Sequence, residues 1–210
     1  MVLKFNLMNL IGVEIYRVIL TVKSCNFNIK ELCKGLFMTM ASKSPRISSR
    51  IFLGIGANLT ADGFDTPQDG CLAAIESLKD EGIEIVAISP WYKSAPVPIS
   101  DQPWYHNAVV EIATDMRPEE LIGILHQREA GFGRIRITRN EARVLDIDIV
   151  DFGGLVMDGN LTLPHPRMHQ RAFVLRPLAD LAPDWIHPET HETISALLAA
   201  VDPKQDCVLV

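Results

Sequence analysis

The chain has 210 residues, 48% of them hydrophobic and 22% charged, with a formal net charge of −6, enough for one sizeable core and one domain with an appendage. Residues 1–50 carry eight Lys/Arg against two Asp/Glu (+6) and the remaining 160 carry 12 against 24 (−12). This acidic body argues against broad nucleic-acid binding, which needs a basic surface. Eight of its 12 basic residues nevertheless fall between Arg128 and Arg176, a focusing that suits one small anionic ligand.

At the N-terminus, Leu10 to Val22 is apolar but broken by Glu14 and Arg17. It is too short to span a bilayer and lacks the pattern of a signal peptide, so no membrane partner is expected. Residues 1–47 read as an extension, disordered or preceding a later start at Met38 or Met40, joined through the Ser/Lys/Pro/Arg-rich stretch Ser42 to Arg50 to a domain of residues 48–210. Cys25, Cys33, Cys71 and Cys207 form no CxxC pair and no zinc-ligand spacing, so a reducing cytoplasm is the expected compartment.

Arg50 to Gly56 reads as a strand ending in the turn Gly54-Ile55-Gly56-Ala57-Asn58. Leu59 stands where a dinucleotide fingerprint needs its third glycine, and no Gly-Lys-Ser/Thr follows for a P-loop. The glycines therefore serve a close backbone approach. Thr66-Pro67 supplies an N-cap and first-turn proline for a helix to about Asp80, with Cys71 as buried packing. Ile83 to Ser89 alternates as a second strand. Pro90, Pro96, Pro98 and Pro103 exclude a central strand or a helix from residues 90–104 and predict a functional surface loop. Tyr105 to Thr114 alternates again. Pro118 opens an amphipathic helix with Leu121, Ile124, Leu125 and Arg128 at helical spacing and Gly131 as its stop.

Gly133 to Ile149 then reads GRIRITRNEARVLDIDI. Leu145, Ile147 and Ile149 should face a core, leaving Asp146 and Asp148 together on the opposite face, roughly 6 to 7 Å apart at about 3.3 Å of rise per residue. Such a pair suits Mg2+, which takes a few carboxylate oxygens together with water and substrate phosphates. Arg134, Arg136, Arg139 and Arg143 add planar donors for phosphate oxygens. Asp-x-Asp alone is a frequent solvated strand face, and an arginine loop alone can simply pair with such acids. Their adjacency is what reads as a magnesium polyphosphate site. Farther on, Pro166 between His165 and His169 argues against a zinc pair, Arg171 to Leu181 and Pro188 to Val201 read as two closing helices, and His187 and His191 as a solvated helix start. The mixed order of strands and helices predicts an α+β fold, with helices over a largely antiparallel sheet.

Five motifs in this order, LGIGANL, WYKSAPV, DQPWYHNAVV, GRIRITRNEARVLDIDI and LPHPRMHQRAFVLRPL, resemble the 6-hydroxymethyl-7,8-dihydropterin pyrophosphokinases of folate biosynthesis over about residues 50–187. The resemblance implies a ferredoxin-like α+β fold. It also implies transfer of the β,γ-diphosphate of ATP to the hydroxymethyl of a reduced pterin, releasing AMP, by a monomer or weak oligomer. Asp146 and Asp148 match the aspartates that hold two Mg2+ ions, and Arg134 and Arg143 the arginines of a mobile catalytic loop. Asp148 is, by proximity, the candidate acceptor for the alcohol proton. Tyr105, Asn107 and the stacking Phe173 match the pterin site, with Ser94, Ala95 and Val97 at the pterin edge and Asn58 lining the same pocket. Gln127, Glu129, Arg136, Arg139, Leu163, His165 and Arg171 match positions near ATP. The chain departs from better-known members at Arg139-Asn140-Glu141-Ala142-Arg143, where those read Arg-Trp-Gly-Pro-Arg; this removes an aromatic lid. Two other readings of the residues stand beside this one. A metal-dependent phosphohydrolase uses the aspartates but leaves Tyr105, Asn107 and the proline loop idle. A non-catalytic nucleotide or pterin binder is compatible with the altered loop.

Overall fold

A computed structural model describes residues 50–134 and 141–210 of the protein. The expectations for residues 1–47, for Cys25 and Cys33, and for Arg136 and Arg139 lie outside the described residues. Six strands form one antiparallel sheet: β1 (Ile51–Ala57), β2 (Glu84–Ile88), β3 (Tyr92–Ser94), β4 (Tyr105–Ala113), β5 (Asp146–Phe152) and β6 (Cys207–Leu209). Among the described residues four α-helices accompany them: α1 (Pro67–Ser77), α2 (Pro118–Gly131), α3 (Ala172–Leu181) and α4 (Ile194–Ala200). The order β1-α1-β2-β4-α2-β5 with spatial order β5-β1-β4-β2 is the ferredoxin-like arrangement of two interleaved βαβ units. β3 and β6 extend the sheet from the other half of β4's edge.

Alternation along the strands divides the core between the two faces of the sheet. Leu53, Ile55, Val110, Ile147 and Ile149 pack with Cys71 of α1, with Leu78 just after it, and with Leu121 and Leu125 of α2. Phe52, Val109 and Val150 pack with Leu175 and Leu178 of α3 and Leu197 of α4. The helix starts follow the sequence. Thr66 and Asp69 form a reciprocal capping box, Thr66 Oγ1 accepting from Asp69 N (3.2 Å) and Asp69 Oδ2 from Thr66 N (3.0 Å). Cys71 is fully buried, as expected. No helix among the described residues is long and apolar enough to cross a membrane.

The structure corrects four boundaries. β1 runs straight through Gly54 and Gly56 to Ala57 instead of turning there. α1 ends at Ser77, and a 3₁₀ turn carries the chain to Gly82, whose φ of 75° reverses it. Within the proline loop, Tyr92–Ser94 forms a short strand held between β4 and β6. The last helix begins at Ile194, capped by Thr193 Oγ1 on Ala196 N, and residues 188–193 are not helical. His187 is 2% exposed, not solvated, and its Nδ1 accepts from the backbone N–H of Glu189 and Thr190 (3.3 and 3.2 Å).

Candidate active site

One register detail builds the site. Gly56 of β1 lies opposite Asn107 on β4 and Asp146 on β5, while Gly54 lies opposite Val109 and Asp148. Directly opposed residues project from the same sheet face, so two rows of side chains cross three strands, each with a glycine at its centre. The outer strands are about 10 Å apart, two strand spacings, and the central strand adds no side chain of its own at these two positions. A Cβ on Gly56 would stand 2.8 Å from Asn107 Oδ1, and one on Gly54 3.2 Å from Val150 Cγ2. The glycines thus keep open the floor of a cavity of about 320 Å³, within the usual range for small-molecule sites.

On one side of this floor stand Tyr105, Asn107, Phe173, Ser94 at the end of β3 and the loop residues Ala95 and Val97. Asn107 is buried, and its Nδ2 donates to Ser94 Oγ (3.0 Å) and Tyr105 O (3.4 Å). With both amide protons so engaged, Oδ1 is left as an acceptor; among the described residues no donor reaches it. Ser94 is held in place because β3 is paired on both edges and Ala95 N donates to Asp206 O (3.1 Å). Phe173 offers a ring face, with the Arg171 guanidinium 5.4 Å from its centroid.

On the other side stand Asp146, Asp148, Arg134, Arg143, His165 and Arg171. Asp146 pairs with Arg134 (2.6 Å) and with Arg143. Burial, then the neighbouring charges of Asp146 and Glu129, push the Asp148 carboxyl up to about 6; its side chain is 46% exposed and lines the cavity. Burial likewise lowers the His165 imidazole to about 4, helped by the cations Arg171 and Arg167. His165 Nδ1 accepts from Arg167 N (3.2 Å), so the neutral ring carries its proton on Nε2, 4.0 Å from Asp148 Oδ2. Among the described residues no group of three or more His, Cys, Asp or Glu forms a closed cage. Two ionisable carboxylates opening onto a cationic cavity fit a hard cation that completes its shell with water and phosphate oxygens.

Twelve of the site residues expected from sequence line this cavity. Four described ones do not. Asn58 is buried behind it: its Nδ2 donates to Gln102 Oε1 (3.2 Å) and Pro103 O (3.1 Å), and its Oδ1 accepts from Arg143 N (2.7 Å), tying the proline loop to the end of the arginine loop. Glu129 is 1% exposed and is engaged by Ile147 N (2.8 Å) and by Arg134. It meets the cavity-lining Arg134 and does not itself line the cavity. Leu163 is core, and Gln127 is exposed on α2, away from the cavity. The histidine one position earlier, His126, lines it instead, as does Arg167. The helical spacing from Leu121 and Leu125 could have separated His126 from Gln127, since one residue rotates a side chain by about 100°; nothing in the sequence singled out Arg167 from its neighbours.

A family model described as 7,8-dihydro-6-hydroxymethylpterin-pyrophosphokinase matches residues 52–183. The chain is 38% identical over 153 residues to the 2-amino-4-hydroxy-6-hydroxymethyldihydropteridine pyrophosphokinase of Pseudomonas aeruginosa, covering 72% of this chain and 91% of that protein. The protein of the same description from Synechocystis is 41% identical over 122 residues, 58% of this chain and 62% of that one. The match to the folic acid synthesis protein fol1 of Pneumocystis carinii is 37% identical and covers 60% of this chain but only 17% of the fungal protein. Among solved structures, a Plasmodium falciparum HPPK-DHPS with pteroate superposes with a TM-score of 0.56 at 12% identity, over 71% of this chain and 44% of that one; this likeness concerns the fold. With the family model spanning most of the domain and a bacterial relative matched along nearly its whole length, the chain belongs to the 7,8-dihydro-6-hydroxymethylpterin-pyrophosphokinase family.

Proposed function

We propose that this protein transfers the β,γ-diphosphate of ATP to the hydroxymethyl group of 6-hydroxymethyl-7,8-dihydropterin, releasing AMP. The observation that carries this reading is the row Asn107-Gly56-Asp146, which sets an amide acceptor and a carboxylate on either side of a bare glycine in one cavity. On the Asn107 side, Phe173 stacks on the flat heterocycle while Asn107 Oδ1 accepts from the amino and ring N–H edge of the pterin. The loop at Ser94 to Val97 closes that edge with main-chain groups. On the Asp146 side, Asp146 and Asp148 would hold two Mg2+ ions, which would offset the triphosphate charge during transfer. Arg134 and Arg143 supply guanidinium donors to the transferred group, His165 donates through Nε2–H, and Arg171 bridges the two halves from above Phe173. The protein works in this reading as a cytoplasmic monomer or weak oligomer on small-molecule substrates alone.

Product analysis tests it. Incubation with ATP, Mg2+ and the pterin alcohol should yield AMP and a pterin diphosphate in equal amounts. Release of ADP or inorganic phosphate without consumption of pterin supports a phosphohydrolase instead, and binding without turnover supports a simple binder.

A further inference from the structure

We propose that Arg167 is a further phosphate-contacting residue of this cavity, binding the phosphate chain of the nucleotide through its guanidinium. The proposal rests on the pyrophosphokinase reading above and adds to it a residue outside the matched set. Arg167 lines the cavity beside His165, Met168 and Arg171. Its backbone is fixed: the N–H donates to His165 Nδ1 (3.2 Å), its carbonyl accepts from Gln170 N (3.3 Å), and the next residue, Met168, is fully buried. The side chain, by contrast, has no task in the fold. It is exposed, and among the described residues its guanidinium makes no hydrogen bond and meets no carboxylate. Its neighbours are otherwise disposed, Arg134 and Arg143 on Asp146 and Arg171 over the Phe173 ring.

Placing that guanidinium there is unfavourable in the empty protein. Arg167 and Arg171 are close enough that Arg167, after burial itself, helps hold the Arg171 guanidinium below its ordinary value. With 26 acidic residues in the chain, a surface arginine would readily find a carboxylate, yet among the described residues this one is paired with none and has the Arg171 guanidinium as a charged neighbour. A ligand with several negative oxygens converts that repulsion into attraction, and a planar fork on a fixed backbone suits phosphate oxygens. In total the cavity presents four arginines, Arg134, Arg143, Arg167 and Arg171, against two aspartates.

Calorimetry on the full chain with MgATP, magnesium tripolyphosphate and adenosine, alongside steady-state kinetics, tests this. Arg167→Ala should weaken MgATP and tripolyphosphate at least tenfold, change adenosine affinity and the pterin KM less than twofold, and leave the melting temperature unaltered. Arg167→Lys should recover part of the loss, through charge without the planar fork. The proposal is overturned if MgATP affinity in Arg167→Ala stays within twofold of wild type, or if adenosine weakens as much as ATP. If the wild-type protein binds and transfers normally and the variant does too, only the role of Arg167 falls. If the wild type binds no MgATP, the pyrophosphokinase reading falls with it.

Discussion

Replacing Gly56 by alanine tests the central row of the site most directly. The added methyl would sit 2.8 Å from Asn107 Oδ1 and 3.5 Å from His106 O; the second contact is ordinary, so the amide must yield by about half an ångström to restore normal separation. Oδ1 is the end of a side chain, so the fold can absorb the change at about 1 kcal/mol or a little more. The larger consequence is for the ligand. The displaced amide gives up its 3.0 Å bond to Ser94 Oγ, about 1 kcal/mol, and no longer presents its oxygen at the pterin edge, a hydrogen bond of similar worth. The Ser94 bond is lost from free and bound protein alike, so the pterin contact alone sets the loss of affinity: a pterin N–H left unpaired costs about 1 to 3 kcal/mol, roughly 5- to 150-fold. MgATP affinity should hold within a few-fold, and the melting temperature should fall by only a few degrees. Pterin titration by fluorescence in wild type, Gly56→Ala, Asn107→Ala and the double variant reads this out. In the double variant the methyl has nothing left to push, so it should bind pterin no worse than Asn107→Ala alone. Independent addition of the two losses, or unchanged pterin affinity in Gly56→Ala, would refute the reasoning.

Asp148→Asn removes a carboxylate ligand at little change in volume; turnover should fall by at least a thousandfold with the fold intact, checked by product formation and circular dichroism. Arg143→Ala should lower kcat far more than it raises the Kd for MgATP, because the interaction is made to charge that develops during transfer; single-turnover rates beside calorimetry separate the two. Mg2+ binding should depend on pH through Asp148. Burial raises its carboxyl to about 6, so the protonated form gains below that value, and Mg2+ affinity, flat above about pH 7, should fall up to tenfold per pH unit below about 6. The same shift makes the metal-free fold more stable as pH drops from about 6 towards 4, since the folded state holds that proton more tightly than the unfolded chain. His165 pulls the other way and largely offsets this gain in stability: its imidazole, held down to about 4 chiefly by burial, stays neutral in the fold while the unfolded chain takes up a proton below about 6.5. Calorimetric titration with Mg2+ from pH 5 to 8 checks the slope; a pH-independent affinity removes Asp148 from the site.

Patterns confined to one segment were legible in advance. Alternation placed Leu145, Ile147 and Ile149 in the core with Asp146 and Asp148 opposite, and the Thr66 cap and Pro118 start were readable because capping is local chemistry. What escaped depends on distant partners. Tyr92–Ser94 is held as a strand between β4 and Cys207–Leu209, the latter more than a hundred residues later in the chain. Pro188 to Thr193 has helical spacing, yet His187 spends its Nδ1 on the backbone there and closes a turn. Gly54 and Gly56 promised a close approach, but that they separate an amide from a carboxylate is a fact of register.

The double engagement of Asp146 by Arg134 and Arg143 bears on how the protein waits between turnovers. A hollow shaped for a polyanion would, without its guest, be a pocket of mutually repelling positive groups. By holding two of them itself, this one carboxylate gives the empty hollow a ready-made internal counterion. A site tuned to so highly charged a cargo can in this way belong to a chain that stays folded when nothing is aboard.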